Sequence, residues 1–133
     1  MTHWAEQYLG QRWESGATGP DAWDCGTFVR HVQRTHYGRE IPHAFADASN
    51  IHDVVRALSR LDMGDWDEAA EPREGDGAIL AHARYGSHVG VWLDVDGGGV
   101  LHCQHGSGVI FTPRNRLALS GWGRVTFYRP GAA

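Results

Sequence analysis

The sequence contains no lysine, so its positive charge comes entirely from 12 arginines. These are scattered among 16 acidic residues, and the formal net charge is −4. Nucleic-acid binding depends on clusters of basic side chains, and no basic block is present. The sequence therefore argues against a nucleic-acid partner.

Long apolar runs are also missing. No stretch approaches the ~20 consecutive apolar residues that a membrane-spanning helix needs, so we expect no membrane span. Residues 1–6 do not combine a basic region with an apolar one, which argues against a cleavable secretion signal.

Cysteine is scarce, with only Cys25 and Cys103 in the chain. Without a secretion signal a reducing compartment is favoured, where disulfides are rare. We therefore expect two free thiols.

The chain has 133 residues, of which 41% are apolar and 21% are charged. That composition is typical of one compact domain with its own core, here residues 1–133. A short helix is expected at 2–11, a longer one from an Asp24 N-cap to a stop at Gly38, and a third after Ser49. The acidic stretch 62–77 has turn residues and predicts no regular structure.

Strand patterns begin at Gly77 and are separated by glycine-rich turns. They cover residues 78–82, 89–93, 100–104, 109–111 and 125–128, with a helical turn at 114–119. Helices followed by a meander of strands predict an α+β fold, in which N-terminal helices pack on one face of a central antiparallel sheet.

Cys25 lies at the predicted start of the second helix, directly after its cap. Unpaired N–H groups and the helix dipole favour a thiolate at this position. We therefore expect the Cys25 thiol to have a lowered pKa and to act as a nucleophile.

Two histidines follow on predicted strands, His88 and His102. Strand alternation puts Val89 toward the core, and His88 with Gly90 toward a cleft, where the glycine leaves room for close approach. A cysteine, a histidine and a polar group that orients the histidine form the outline of a thiol hydrolase.

These segments together resemble the NlpC-type cell-wall peptidases, a bacterial branch of the papain-like cysteine peptidases. The resemblance runs over roughly residues 8–129. It is carried by the stretch 10–16 with its aromatic residue, Asp24-Cys25, Gly75-Asp76, Ser87-His88-Val89-Gly90 and Leu101-His102. Gly26-Thr27 replaces the usual Ser-Gly, and Trp13 replaces a common tyrosine whose hydroxyl can help stabilise an oxyanion.

The resemblance implies roles for individual residues. Cys25 would be the nucleophile, His88 the general base, and His102 the residue that holds the His88 ring. Substrate contacts would come from Trp13, Asp24 and Ser87. No cofactor and no metal would be needed.

The implied substrate is the stem peptide of bacterial peptidoglycan, cut at the γ-D-glutamyl–diamino acid bond. The closing segment, 123–130, resembles the branch found in tail proteins of bacteriophages and gene-transfer particles. That branch implies synthesis in the bacterial cytoplasm, incorporation into a particle and contacts with other tail proteins.

Three alternatives stay open. The first is a tail assembly or binding module without catalysis, and the second is an amidase that cuts the sugar–peptide link with the same residues. The third is a zinc site, which is disfavoured because strand neighbours His102 and Cys103 should point to opposite faces. The remaining ligand types for such a site are His82, His88 and His105. Trp92 and Trp122 are expected to serve in packing only.

Overall fold

The computed structural model describes residues 3–41, 66–82 and 86–130, with the backbone alone at 82, 86 and 87. The predicted helix after Ser49 lies outside the described residues. The regular elements, in chain order, are β1 (Arg12–Trp13), β2 (Ala22–Trp23), α1 (Cys25–His36), β3 (Trp66–Ala69), β4 (Gly77–His82), β5 (Gly86–Leu93), β6 (Gly99–Gln104), β7 (Gly108–Pro113) and β8 (Arg124–Pro130). Short 3-10 helices occupy Trp4–Gln7, Val95–Gly97 and Arg114–Arg116.

Among the described residues, six strands form the central sheet in the order β3-β8-β4-β5-β6-β7, and every neighbouring pair is antiparallel. The two-residue strands β1 and β2 form a separate parallel pair beside it. Helix α1 packs across β5 and β6. The predicted α+β architecture is confirmed.

Strand alternation divides the core into two clusters, one on each face of the sheet. The helix-side cluster contains Phe28 and Val32 of α1 together with Val89, Val91 and Leu93 of β5. The opposite cluster is built around Leu80, Trp92, Val100, Leu117 and Phe127. Both faces of the central strands are therefore covered by protein.

Helix α1 begins and ends where the sequence predicts. Asp24 is its N-cap, and the chain leaves the helix through Tyr37 into Gly38, whose φ is +64°. This left-handed backbone is easy for glycine and strained for other residues. Within the described part of the chain, no helix is long and apolar enough to span a membrane.

Two local predictions are wrong. The helix expected at 2–11 is a single 3-10 turn, Trp4–Gln7, and Gly10 leaves it with a φ of +88°. The stretch 62–77 contains an edge strand, β3, in which Trp66 is buried and Asp67 and Glu68 face solvent. Pairing with β8 supplies the regularity that a four-residue acidic segment does not show by itself.

Candidate active site

The start of α1 is fixed by a reciprocal capping box around Asp24. The Thr27 N–H donates to Asp24 Oδ1 over 2.8 Å, and the Asp24 N–H donates to Thr27 Oγ1 over 3.0 Å. The Gly16 N–H donates to Asp24 Oδ2 over 3.3 Å. The predicted cap is confirmed, and it ties the residue before Cys25 to the preceding loop. A contact of Asp24 with substrate stays a prediction.

The Cys25 thiol is buried, with 8% of the residue exposed. Burial and the neighbouring Asp24 carboxylate raise the pKa of Cys25 to about 12, although backbone N–H groups at Val89, Gly26 and Cys25 itself act to lower it. The N–H groups at the helix start therefore lower the thiol pKa as expected, but the effect of desolvation, which raises it, is larger. The expectation of a lowered thiol pKa is wrong, and the Cys25 thiol is neutral at pH 7.

His88 and His102 are in direct contact, as the sequence predicts. His88 Nε2 lies 2.8 Å from His102 Nδ1, within hydrogen-bonding distance, and both rings are buried. His102 Nε2 in turn lies 2.9 Å from Thr112 Oγ1. A polar chain thus runs from His88 through His102 to a threonine hydroxyl on the next strand.

The His88 ring is covered rather than open to a cleft. It stacks on Trp122, with the ring centroids 5.1 Å apart and an interplanar angle of 15°. The segment after β7 folds over this face and places Leu117 in the core cluster below it. The prediction that His88 faces a cleft is therefore wrong, and Trp122 stacks on a site residue instead of serving in packing only.

Burial also decides the charge of the two imidazoles. The pKa of His88 is lowered well below its ordinary value by burial and by the adjacent His102. Burial lowers the pKa of His102 from 6.5 to about 4. Both rings are neutral at pH 7, so each carries one N–H donor and one acceptor nitrogen.

The thiol approaches strand β5 at the residue next to His88. A backbone N–H of Val89 interacts with the Cys25 sulfur, and the Val89 side chain belongs to the helix-side cluster. The His88 side chain projects to the opposite face, toward His102 and Trp122. The described hydrogen bond of His88 uses Nε2, so Nδ1 is its remaining ring nitrogen, and no contact among the described residues joins it to the Cys25 sulfur.

Gly90 provides close approach to the neighbouring strand and not to the helix, whereas close approach of a substrate there stays a prediction. A Cβ at this position would lie 2.5 Å from Val100 Cγ1, 2.9 Å from Leu101 O and 3.1 Å from His102 Cβ. The absence of a side chain lets β6 come close enough for His102 to reach His88.

The remaining predicted contacts are placed as follows. Trp13 is partly exposed and meets His105 edge-on, with ring centroids 4.5 Å apart. The Ser87 side chain lies outside the described residues. Cys103 is a free buried thiol whose Sγ lies 3.3 Å from the Trp23 carbonyl oxygen on the helix side.

The geometry places two of the candidate zinc ligands, Cys103 and His105, away from the His88–His102 pair. His102 and Cys103 point to opposite faces of β6, and His105 is an exposed residue on the turn beyond. The side chain of His82 is not described. His88 and His102 use facing nitrogens to bond each other.

Two residues of this arrangement were missed by sequence reasoning, Thr112 as a partner of His102 and Trp122 as a cover for His88. The position of Thr112 could have been predicted from the pairing of two strands. In the hairpin of β6 and β7 Val100 pairs with Thr112 and His102 pairs with Ile110, so Thr112 is the diagonal neighbour of His102 on one face. The position of Trp122 could not, because Trp122 lies in an irregular segment.

The site thus combines a cysteine at the start of a packed helix with a histidine pair on adjacent strands of an antiparallel sheet. The fold is similar to a solved NlpC/p60 domain of the peptidoglycan hydrolase SagA, with a TM-score of 0.57 and 20% sequence identity. The similarity covers 92% of this chain and 91% of that domain. The fold is therefore of the NlpC/p60 type, as the sequence motifs indicate. No protein-family model and no curated protein match the sequence.

Proposed function

We propose that this protein is a cysteine peptidase that hydrolyses the stem peptides of bacterial peptidoglycan. The observation that carries the proposal is the thiol of a capped helix start lying beside the strand that bears His88. His88 in turn is held by His102. The SagA domain of similar fold is described as part of a peptidoglycan hydrolase, which supports the same substrate class here.

The chemistry starts from a neutral thiol and a neutral imidazole. As the Cys25 sulfur attacks the scissile carbonyl carbon, its proton passes to Nδ1 of His88, a transfer that requires the two side chains to meet on one side of β5. The resulting imidazolium keeps its Nε2–H bonded to His102. Because neither group is charged beforehand, proton transfer accompanies substrate binding or attack.

The tetrahedral intermediate carries its negative charge on the former carbonyl oxygen. Backbone N–H groups at the start of α1, which already act on the sulfur, are the donors available to stabilise it. His88 then returns the proton to the leaving amine and a thioester forms on Cys25. A water molecule deprotonated by His88 hydrolyses the thioester and regenerates the thiol.

We further propose that the bond cut is γ-D-glutamyl to the diamino acid and that Trp13, Asp24 and Ser87 contact the substrate. Trp13 is partly exposed and lies at the end of β1, beside the strand that leads into Cys25. An indole face there offers an apolar wall for the peptide.

Digestion of purified peptidoglycan tests the proposal. Cys25→Ala should release soluble fragments at less than about one-thousandth of the wild-type rate. Cys103→Ala is the matched control, because Cys103 is the other buried thiol, and it should keep most of the activity. Equal release by wild type and Cys25→Ala would refute the proposal.

Mass spectrometry of the fragments decides the bond. Cleavage at the γ-D-glutamyl bond leaves sugar units bearing L-alanyl-D-glutamate. An amidase would instead leave sugars without peptide, and that product would replace the peptidase proposal by the amidase alternative.

A second candidate is favoured by one observation, the buried and neutral state of Cys25. It is a binding or assembly module of a phage-like particle, synthesised in the bacterial cytoplasm, in which catalysis is lost. Slow alkylation of Cys25 fits both candidates, so the digestion experiment separates them. Recovery of the protein in purified particles would support the particle role, and its consistent absence from them would contradict it.

A further inference from the structure

The polar chain behind His88 ends at Thr112, a residue that the resemblance assigns no role. Thr112 Oγ1 lies 2.9 Å from His102 Nε2, and His102 Nδ1 lies 2.8 Å from His88 Nε2. His102 is fully buried and Thr112 is 7% exposed. The chain therefore runs through a region where an unmet hydrogen bond is costly.

Two neutral rings in series allow two consistent proton arrangements, because each neutral imidazole has one donor and one acceptor nitrogen. In the first, His102 Nε2–H donates to Thr112, His88 Nε2–H donates to His102 Nδ1, and His88 Nδ1 carries a lone pair. In the second, Thr112 donates to His102, His102 Nδ1–H donates to His88 Nε2, and His88 Nδ1 carries the proton. Only the first leaves His88 able to accept a proton from a thiol.

The acceptor lone pairs of the threonine make the first arrangement possible. Without an oxygen at position 112, the buried Nε2–H of His102 would lose this acceptor. The ring would then place its proton on Nδ1, where His88 Nε2 can accept it. The proton of His88 would move to Nδ1 in consequence.

The first arrangement also survives proton uptake without any ring turning. When His88 becomes an imidazolium both of its nitrogens donate, so His102 Nδ1 must accept and His102 Nε2 must donate. Thr112 must then accept, which a hydroxyl does by rotating its own hydrogen.

We propose that Thr112 is a positioning residue that holds His102, and through it His88, in the tautomer with an unprotonated Nδ1 on His88. Its consequence for catalysis rests on the proposed function, whereas the tautomers themselves do not. A merely structural threonine would satisfy a buried bond and leave the proton positions unchanged when replaced.

The test combines nitrogen-15 NMR of the histidine rings with peptidoglycan digestion, in the full chain near neutral pH. Wild type should show the proton on Nε2 of both His88 and His102. Thr112→Val, which keeps the shape and removes the oxygen, should move both protons to Nδ1. Thr112→Ser should restore the wild-type pattern, and Thr126→Val on β8 is the control for a lost threonine on a strand.

In kinetic terms, Thr112→Val should lower kcat about tenfold to a hundredfold with little change in KM, because the step affected is proton transfer. Unchanged tautomers in Thr112→Val would overturn the proposal. If that variant does not fold, a wild-type His102 with its proton on Nδ1 would overturn it equally, and the Nε2 form together with rescue by serine would support it. Moved tautomers in a protein whose wild type digests nothing would refute the proposed function and leave the positioning role intact.

Discussion

The two faces of the six-stranded sheet hold the proposed thiol and the proposed base in different ways. On the helix side, Cys25 lies among apolar neighbours with a raised pKa, and Cys103 is buried near it. On the opposite side, His88 and His102 are as deeply buried, but they are joined in a hydrogen-bonded chain that ends at Thr112. The helix side therefore buries the Cys25 thiol in its neutral form, and the opposite side fixes the orientation of the His88 ring.

The two settings show how a buried thiol and a buried imidazole are each stabilised. A thiol is a weak hydrogen-bonding group and tolerates an apolar setting, so helix packing alone can hold it. An imidazole has two polar nitrogens, and burying it without partners would be costly. The base therefore needs a chain of polar neighbours, whereas the nucleophile needs a capped helix and a close strand.

The largest effect should come from the base itself. His88→Gln removes the group that accepts the thiol proton, and the rate of peptidoglycan hydrolysis should fall about a hundredfold to ten-thousandfold. His105→Gln is the control, because His105 is exposed and is not part of the hydrogen-bonded chain of His88, His102 and Thr112. This variant should change the rate little. A comparable loss of rate in both variants would show that His88 matters no more for hydrolysis than an exposed histidine, which contradicts its role as the base.

The two faces should lose stability at opposite ends of the pH scale. The lowered pKa of His102, from 6.5 to about 4, means that the unfolded chain binds more protons in this range. The contribution of neutral His102 to the free energy of unfolding is up to about 3 kcal/mol. It is fully present above pH 6.5 and is lost as the pH falls toward 4. Chemical denaturation between pH 7 and 4 measures the slope, which should be shallower in His102→Gln.

The Cys25 thiol should change the stability with pH in the opposite direction. The pKa of Cys25 is raised from 9.0 to about 12, so the folded state keeps a proton that the unfolded chain releases. Its contribution is present below pH 9.0 and lost as the pH rises toward 12. Cys25→Ala should therefore remove part of the alkaline decline and leave the acid limb unchanged. A variant that altered the acid limb instead would contradict the separation of the two faces.

A methyl group at Gly90 tests how tightly β5 and β6 must approach. Gly90→Ala would bring a Cβ to 2.5 Å from Val100 Cγ1 and 3.1 Å from His102 Cβ. Overpacking of this kind costs about 1–3 kcal/mol in the free energy of unfolding, and the displaced His102 should also weaken hydrolysis. Gly123→Ala is the matched control, since a Cβ there meets nothing within 4 Å.

The smallest effects concern the helix cap. Asp24→Ala should lower the free energy of unfolding by about 0.5–2 kcal/mol, because the Thr27 N–H loses its acceptor. Asp24→Asn keeps the cap and removes the charge that raises the pKa of Cys25. It should speed alkylation of Cys25 with little loss of stability, and Asp21→Ala at an exposed aspartate should change neither.

The sequence predicts much of this fold because its signals are local. The Asp24 cap, the Gly38 stop and the alternation around Val91 each depend on a few neighbouring residues. The contact of His88 with His102 also follows from motif order. The pKa of Cys25 could not be predicted, because it depends on how completely α1 packs against β5, a property of the assembled core. The cover over His88 was missed for the same reason, since Trp122 reaches it from an irregular segment.

Trapping the covalent intermediate would show whether Cys25 is the nucleophile. Wild-type protein is mixed with a stem peptide, quenched in acid and digested, and mass spectrometry then locates the acyl group. We predict a thioester on Cys25 in wild type and much less of it in His88→Gln. Turnover of the peptide with no acyl group on Cys25, or undiminished turnover by Cys25→Ala, would contradict it.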